Sequence, residues 1–563
     1  MTYVLRFLAS CIFCVPLLAR PAALPGDLTG IWFDGNHPGW GVGLMQQNDT
    51  VFATLFTYDA NGAPSWSVAA LQLSLVPIAH DACGSVRLAG VLYSTQWPSF
   101  GSAANPQGSM QAQAIGTLIV IVPTELQSPG CDGNTVNLHY SIGDAQYAAV
   151  VTRETWSSNQ ARLQGQYAGG LVLNFLPVPC PPNAPSLDGF MQAGGLQLSL
   201  NVAADGTGVR LFWGTGIDTL CEIGGAYSQA GQLGAITGSM ACGPVGFPHD
   251  PLASAKVSNL RVSDAGFTGD VAIATSCPIV GTVSGARRSS QASAAIPGDV
   301  TGMWFDASHP GWGMNLAQQN DAVFATLFIY DASGAPAWYV ASRLENAGDL
   351  DFGPCASMSL TGPLYRTTWP SFGSVTNPQG SMQFRSVGTM TVSVPTLPQG
   401  TSPGACDRNS AVVRYSIDGV QSAVTVTRQT WSSNQARLYG QFTGGLAFLP
   451  PASSCADLNG YPTLPFSGRQ LTINGSADGA GVKLLWGTGI DTLCQISGTY
   501  SQGGQLGALT GTFGCGPLGG TLPSTAPVRL SSLSVGDSGF AADVALDLGA
   551  CHYLGTIAGA RLP

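Results

Sequence analysis

Short runs in which apolar and polar side chains alternate, separated by Gly, Asp, Asn and Pro, recur along most of this chain. Residues 51–58 are rich in β-branched and aromatic side chains and stop at Asp59-Ala60-Asn61-Gly62; the pattern resumes at Trp66 and runs to Leu71. Two such runs around a Gly-containing turn predict a β-hairpin. Residues 116–122, 147–153, 196–202, 208–213 and 267–274 read as further strands. Turn signals recur roughly every 8–12 residues, the spacing of β-sandwiches and barrels. No helical periodicity longer than two turns interrupts them.

The pattern occurs twice. Gly26 to Trp66 and Gly298 to Trp338 are identical at 30 of 41 positions, at an offset of 272 residues. The likeness continues through Trp156-Ser157-Ser158-Asn159-Gln160-Ala161-Arg162 and its copy at 431–437, Trp213 to Cys221 and its copy at 486–494, and Gly285-Ala286-Arg287 and its copy at 559–561. The expected fold is therefore all-β, with two tandem homologous units, each of two antiparallel β-sandwich or barrel lobes. The lobes are assigned to 24–164 and 165–287 in the first unit, and to 296–439 and 440–563 in the second. Residues 288–295 form a short polar linker, expected to allow the units some relative motion.

Cysteine usage follows the same division. Two of the 14 cysteines, Cys11 and Cys14, lie near the N-terminus; the other twelve fall at six corresponding pairs of positions. An even set per unit in an exported chain predicts three disulfides in each. If bonds stay within lobes, Cys83–Cys131 and Cys355–Cys406 are forced. Three pairings remain for the other four cysteines of each unit, and Cys221–Cys242 with Cys180–Cys277 is the favoured one. The spacings, without any CxxC, do not resemble a zinc site.

The N-terminus changes the expected compartment. Arg6 precedes an apolar stretch ending at Leu18, then small residues to Ala23, which together form a secretory signal over residues 1–23. Leu8-Ala9-Ser10-Cys11 matches a lipoprotein box but precedes most of the apolar stretch, where such a box should follow it. No run in the remaining chain is long enough for a membrane-spanning helix, so a secreted, periplasmic or cell-surface protein is expected. Composition excludes other classes. Charged residues are 9% of the chain, Lys256 and Lys483 are the only lysines, and the net charge is −10, which argues against nucleic-acid partners.

The stretch Gly-Asp-Leu-Thr-Gly-Ile-Trp-Phe (26–33) with Gly39-Trp40-Gly41 resembles a Trp/Gly-rich β-module of secreted and surface proteins of proteobacteria. Val51-Phe52-Ala53-Thr54, Tyr58-Asp59 with Gly62, Pro64 and Trp66, and Leu364-Tyr365-Arg366-Thr367-Thr368 also fit; Ser94 departs from it where the second unit has Arg366. The resemblance covers the first lobe of each unit and implies no established activity, so no catalytic residue is carried over. The opening Gly30-x-Trp32 also resembles the first strand of lipocalins and avidins.

No nucleophile elbow, zinc-protease motif or phosphate loop occurs, and no catalytic, metal or cofactor site is assigned. All twelve tryptophans fall at matching positions in the two units; of six histidines only His37 and His309 do. The candidate ligand-binding set is Trp32, Asp34, His37 and Trp40, with Trp304, Asp306, His309 and Trp312. Its competing reading is a turn capped by Asp, with the indoles in the core. Gln46-Gln47-Asn48-Asp49 and Gln318-Gln319-Asn320-Asp321 read as hairpin tips. Arg153 and Arg428 read as strand ends, as do Arg162 and Arg437, and all four are candidates for pairing with Asp. The function expected is that of an exported, non-enzymatic β-repeat protein that binds a glycan, a peptide or an envelope protein. The alternatives are a secreted hydrolase of polysaccharide or peptide and a purely structural surface protein.

Overall fold

The computed structural model describes residues 24–562 with interruptions, the longest at 75–82, 97–110, 125–132, 176–195, 369–382, 396–407, 456–465 and 518–525. The signal segment and linker residues 289–295 lie outside the described residues. Alternation becomes strand throughout. In Thr135–Ile142 (β7), Val136, Leu138 and Tyr140 point inward; in Gly208–Gly214 (β11), Val209, Leu211 and Trp213 do. A period of two places one face of each strand in a common interior.

Among the described residues, thirty-two strands make four closed antiparallel barrels of eight. The first barrel runs from Gly30–Phe33 (β1) to Ala145–Arg153 (β8), and the second from Gly165–Phe175 (β9) to Ile279–Arg287 (β16). The third runs from Gly302–Phe305 (β17) to Val420–Arg428 (β24), and the fourth from Gly440–Phe448 (β25) to Cys551–Arg561 (β32). The lobes are thus barrels rather than sandwiches, each filled by its own apolar cluster. One-turn helices, Gln160–Leu163 (α1) and Gln435–Leu438 (α2), join the two barrels of each unit. Among the described residues no helix is long and apolar enough to cross a membrane.

The same device closes all four barrels. The first strand opens Gly-x-aromatic, and the aromatic residue lies opposite an arginine on the last strand: Trp32 and Arg153, Tyr167 and Arg287, Trp304 and Arg428, Phe442 and Arg561. Each guanidinium sits over its ring, 4.3–4.9 Å from the centroid, a cation–π contact. It also donates to backbone carbonyls just before the first strand, as Arg153 does to Thr29 O at 2.9 Å and to Asp27 O. The opening glycines have φ of 144–155°, which side-chain-bearing residues rarely adopt.

The two units pack against each other about a pseudo-two-fold axis. Phe56 and Phe328, equivalent residues, stack directly with ring centroids 5.3 Å apart. Tyr58 donates to Thr367 Oγ1 at 3.1 Å, and Tyr330 to Thr95 Oγ1 at 3.0 Å. Trp66, Trp338, Met45 and Met303 complete an apolar cluster between the first and third barrels. In an isologous contact, residue i of one unit meets j of the other and j meets i, and these reciprocal pairs follow that rule. The second and fourth barrels meet through small residues. A Cβ on Gly170 would come within 2.5 Å of Thr443, and one on Gly445 within 2.3 Å of the Ala168 backbone, so only glycine allows this approach. The relative motion expected of the linker does not fit this extensive contact, which holds the units together as one body.

Cys221–Cys242 and Cys494–Cys515 bridge directly paired residues of neighbouring strands. Cys455–Cys551 joins the connection that follows β25 to the start of β32, the connectivity favoured for Cys180–Cys277 in the first unit. Cys83 is disulfide-bonded. Cys131, Cys180, Cys277, Cys355 and Cys406 lie outside the described residues.

Candidate functional site

The β1–β2 connection, between Gly30–Phe33 and Gly41–Gln47 (β2), carries the candidate residues at one mouth of the first barrel. Asp34 is buried, and its Oδ1 accepts the Asn36 N–H at 2.8 Å. This side-chain-to-backbone turn is the geometry Asp favours. Trp40 is 7% exposed and tilts against Tyr140 with centroids 6.0 Å apart; Tyr140 stacks on Tyr147 at 4.9 Å. Burial pushes the Tyr140 hydroxyl pKa far above its ordinary value, and the nearby Tyr147 and Asp34 push it in the same direction. In the third barrel Trp312 meets Tyr415 edge-on at 6.1 Å. Burial raises the Tyr415 pKa to about 12, opposed by a hydrogen bond with Ser422 and assisted by Asp306. A phenol, an acid and an indole together can both stack and hydrogen-bond; here Asp34, Trp40 and Tyr140 are all buried at the end of the barrel interior, and Trp312 is half-buried.

Trp32 and Trp304 do not belong to this mouth. They are 0% and 1% exposed, their indole N–H groups donate to Leu28 O and Val300 O at 3.0 Å, and an arginine covers each ring. They close the barrel and offer no surface to a ligand, which corrects their inclusion in the candidate set. Asp34, Trp40, Asp306 and Trp312 remain, while His37 and His309 lie outside the described residues. Tyr140 and Tyr415 were missed. The available signal was their alternation in the strand and their matching positions in the two units; nothing local links them to the Trp40 and Trp312 loops.

The amide-rich tips are hairpin ends as expected, with Asn48 and Asn320 at φ of 52° and 49°. They are occupied by the other unit. Gln47 Oε1 accepts the Trp431 N–H at 2.9 Å, and Gln319 Oε1 accepts that of Trp156 at 2.8 Å. The Asn48 N–H donates to Asn434 Oδ1, and the Asn320 N–H to Asn159 Oδ1, both at 2.7 Å. Arg162 pairs with Asp264 at 2.5 Å, and Arg437 with Asp537. Among the described residues no three His, Cys, Asp or Glu side chains gather in a metal-binding group.

No protein-family model matches the chain, and no curated protein matches it. Among solved structures, a double and a single mutant of transferrin-binding protein B, a vaccine antigen from Haemophilus parasuis Hp5, are similar to it. The identities are 9% and 8%, each match covers 87% of this chain and 98% of the other, and the TM-score is 0.17 in both. A similarity at that score carries no argument about this chain.

Proposed function

We propose that the protein is an exported, non-enzymatic binding protein that presents two equivalent ligand-contacting mouths, one in each unit, to a glycan, a peptide or an envelope protein. The observation that carries this reading is the repetition of one arrangement, Asp34, Trp40 and Tyr140 beside Asp306, Trp312 and Tyr415. Disulfides across neighbouring strands support export, since such bonds persist in oxidising compartments. Two sites fixed on one body add avidity only for ligands that span their separation. The test probes the mature full-length protein on a glycan and peptidoglycan-fragment array. His37→Ala with His309→Ala is expected to abolish array binding while leaving the melting temperature unchanged. Unchanged binding by that folded variant contradicts the reading.

A further inference from the structure

The two units differ sharply at the junction between their barrels. In the second unit Arg408 lies against Ser532 and Asp543. Its Nη1 donates to Ser532 Oγ at 3.0 Å and is 3.6 Å from the Asp543 carboxylate. Asn409 packs over Gly503, so closely that a Cβ there would lie 2.1 Å from its amide. In the first unit the residue matching Arg408 is Gly133 and the residue matching Gly503 is Ala230. The arginine side chain is absent, and Ala230 carries a methyl where Gly503 leaves room for Asn409. A cavity of about 350 Å³ lies there, between the first and second barrels.

Its lining has a definite chemistry. Hydroxyls of Thr135, Thr152, Ser228 and Ser258 and the ammonium of Lys256 border it, and none of these groups bonds to another described residue. Ala230 and Leu233 supply a small apolar patch. Among the described residues no carboxylate lines the cavity. Asp270, held by Asn259 Nδ2 at 2.7 Å and by Ser538 Oγ at 2.6 Å, is not part of the lining and makes no ion pair with Lys256 among the described residues. Asn259, at φ 49°, sits in a bulge of Pro251–Val262 (β14) that turns its amide toward this acid. The volume is at the small end of the range for small-molecule sites, about 300–1,000 Å³.

We infer that this cleft is a binding site for a small hydroxylated anion, a pyranose carrying a carboxylate. Lys256 takes the carboxylate, the four hydroxyls take the sugar hydroxyls, and the Ala230–Leu233 patch takes the C–H face of the ring. Among the described residues the second unit does not repeat this cleft, because Arg408 and Asn409 take up the corresponding space.

Calorimetric titration of the mature full-length protein with D-glucuronate, D-glucose and acetate tests this. Glucuronate is expected to bind saturably in the millimolar range or tighter. Glucose, without the carboxylate, and acetate, without the hydroxyls, should each bind about ten-fold more weakly or worse. Lys256→Gln, at a half-buried position on the outer face, should reduce glucuronate binding to the level of glucose. Gly133→Arg, which restores the side chain of the second unit, should abolish both. His37→Ala with His309→Ala should leave glucuronate binding unchanged, so this site and the barrel mouths fail or succeed separately. No saturable glucuronate binding, glucose binding as tight as glucuronate, or full affinity in folded Lys256→Gln each overturns the inference.

Discussion

Single residues carry more of this fold than their neighbours in sequence reveal. Arg153 reads as the polar end of a strand, yet it closes the first barrel by covering Trp32 and donating to carbonyls on the far side of the seam. Removing it leaves buried carbonyls without their charged donor. Arg153→Ala is expected to cost about 3 kcal/mol or more, measured by urea unfolding; a loss below 1 kcal/mol would show that the seam closes without it. Buried carboxylates act in the other direction. Burial raises the pKa of Asp270, Asp543 and Glu154 above ordinary carboxylate values. Between the ordinary and the raised values, the folded chain holds protons that the unfolded chain has released. Stability at these groups therefore falls as pH rises through that interval and returns on acidification. Asp270→Asn keeps an acceptor for Asn259 and a partner for Ser538. It is expected to melt at or above the parent temperature near neutral pH, with the difference closing near pH 4. A variant that melts lower at neutral pH shows that the charged form of Asp270 is the stabilising one.

At the level of strands and hairpins, alternation is a direct signal wherever one face looks inward and the other meets water, as in β7 and β11. It fails where the outer face is covered as well. Every residue of β2 is buried; Gln46 is held by Leu28 and Gly26 of its own unit, whereas Gln47 looks like a solvent-facing polar position until Gln429 and Trp431 of the second unit are in place. The hairpin tips were legible as tips; their partners, some 380 residues from the first tip and 160 from the second, were not, because periodicity reports local burial and says nothing of which surface provides it. The barrel mouth is a similar case. Its Asp and Trp stand in one short motif, whereas Tyr140 joins them only through closure of the barrel. Replacing Gln47 and Gln319 together by Ala removes the acceptors for the Trp431 and Trp156 amides. The expected loss is about 2–4 kcal/mol for the pair, with faster amide exchange at both the tips and the 156–160 and 431–435 segments. Unchanged exchange in those segments would mean that the contacts between the units hold without the tips. The disulfides act on the same scale. Cys455–Cys551 closes a far longer loop than Cys494–Cys515, with sequence separations of 96 and 21. In the chain-entropy account its loss should cost more, roughly 4–5 against 3 kcal/mol.

Over the whole molecule, duplication has produced an internal dimer. Two copies of a two-barrel unit meet through reciprocal hydrogen bonds and a shared aromatic cluster, and Phe56 and Phe328 lie on the axis between them. The repeat itself was plain from the sequence. The packing of its copies was not, since side chains that build this interface, among them Phe56, Tyr58 and Trp66, are the same residue types that build a core or a strand surface. A rigid pair explains why the tryptophans are retained in both units: Trp66, Trp156, Trp338 and Trp431 serve the contact between units rather than a ligand. It also fixes the spacing of the two mouths, so any two-site ligand must match that spacing. The most direct test places a specific protease site in the linker at 289–295 and cleaves the folded protein. If the units form one body, the nicked chain will elute from gel filtration at the 57.8 kDa of the full-length chain less its signal segment, and will separate only in denaturant. Halves that separate without denaturant after cleavage would contradict the account.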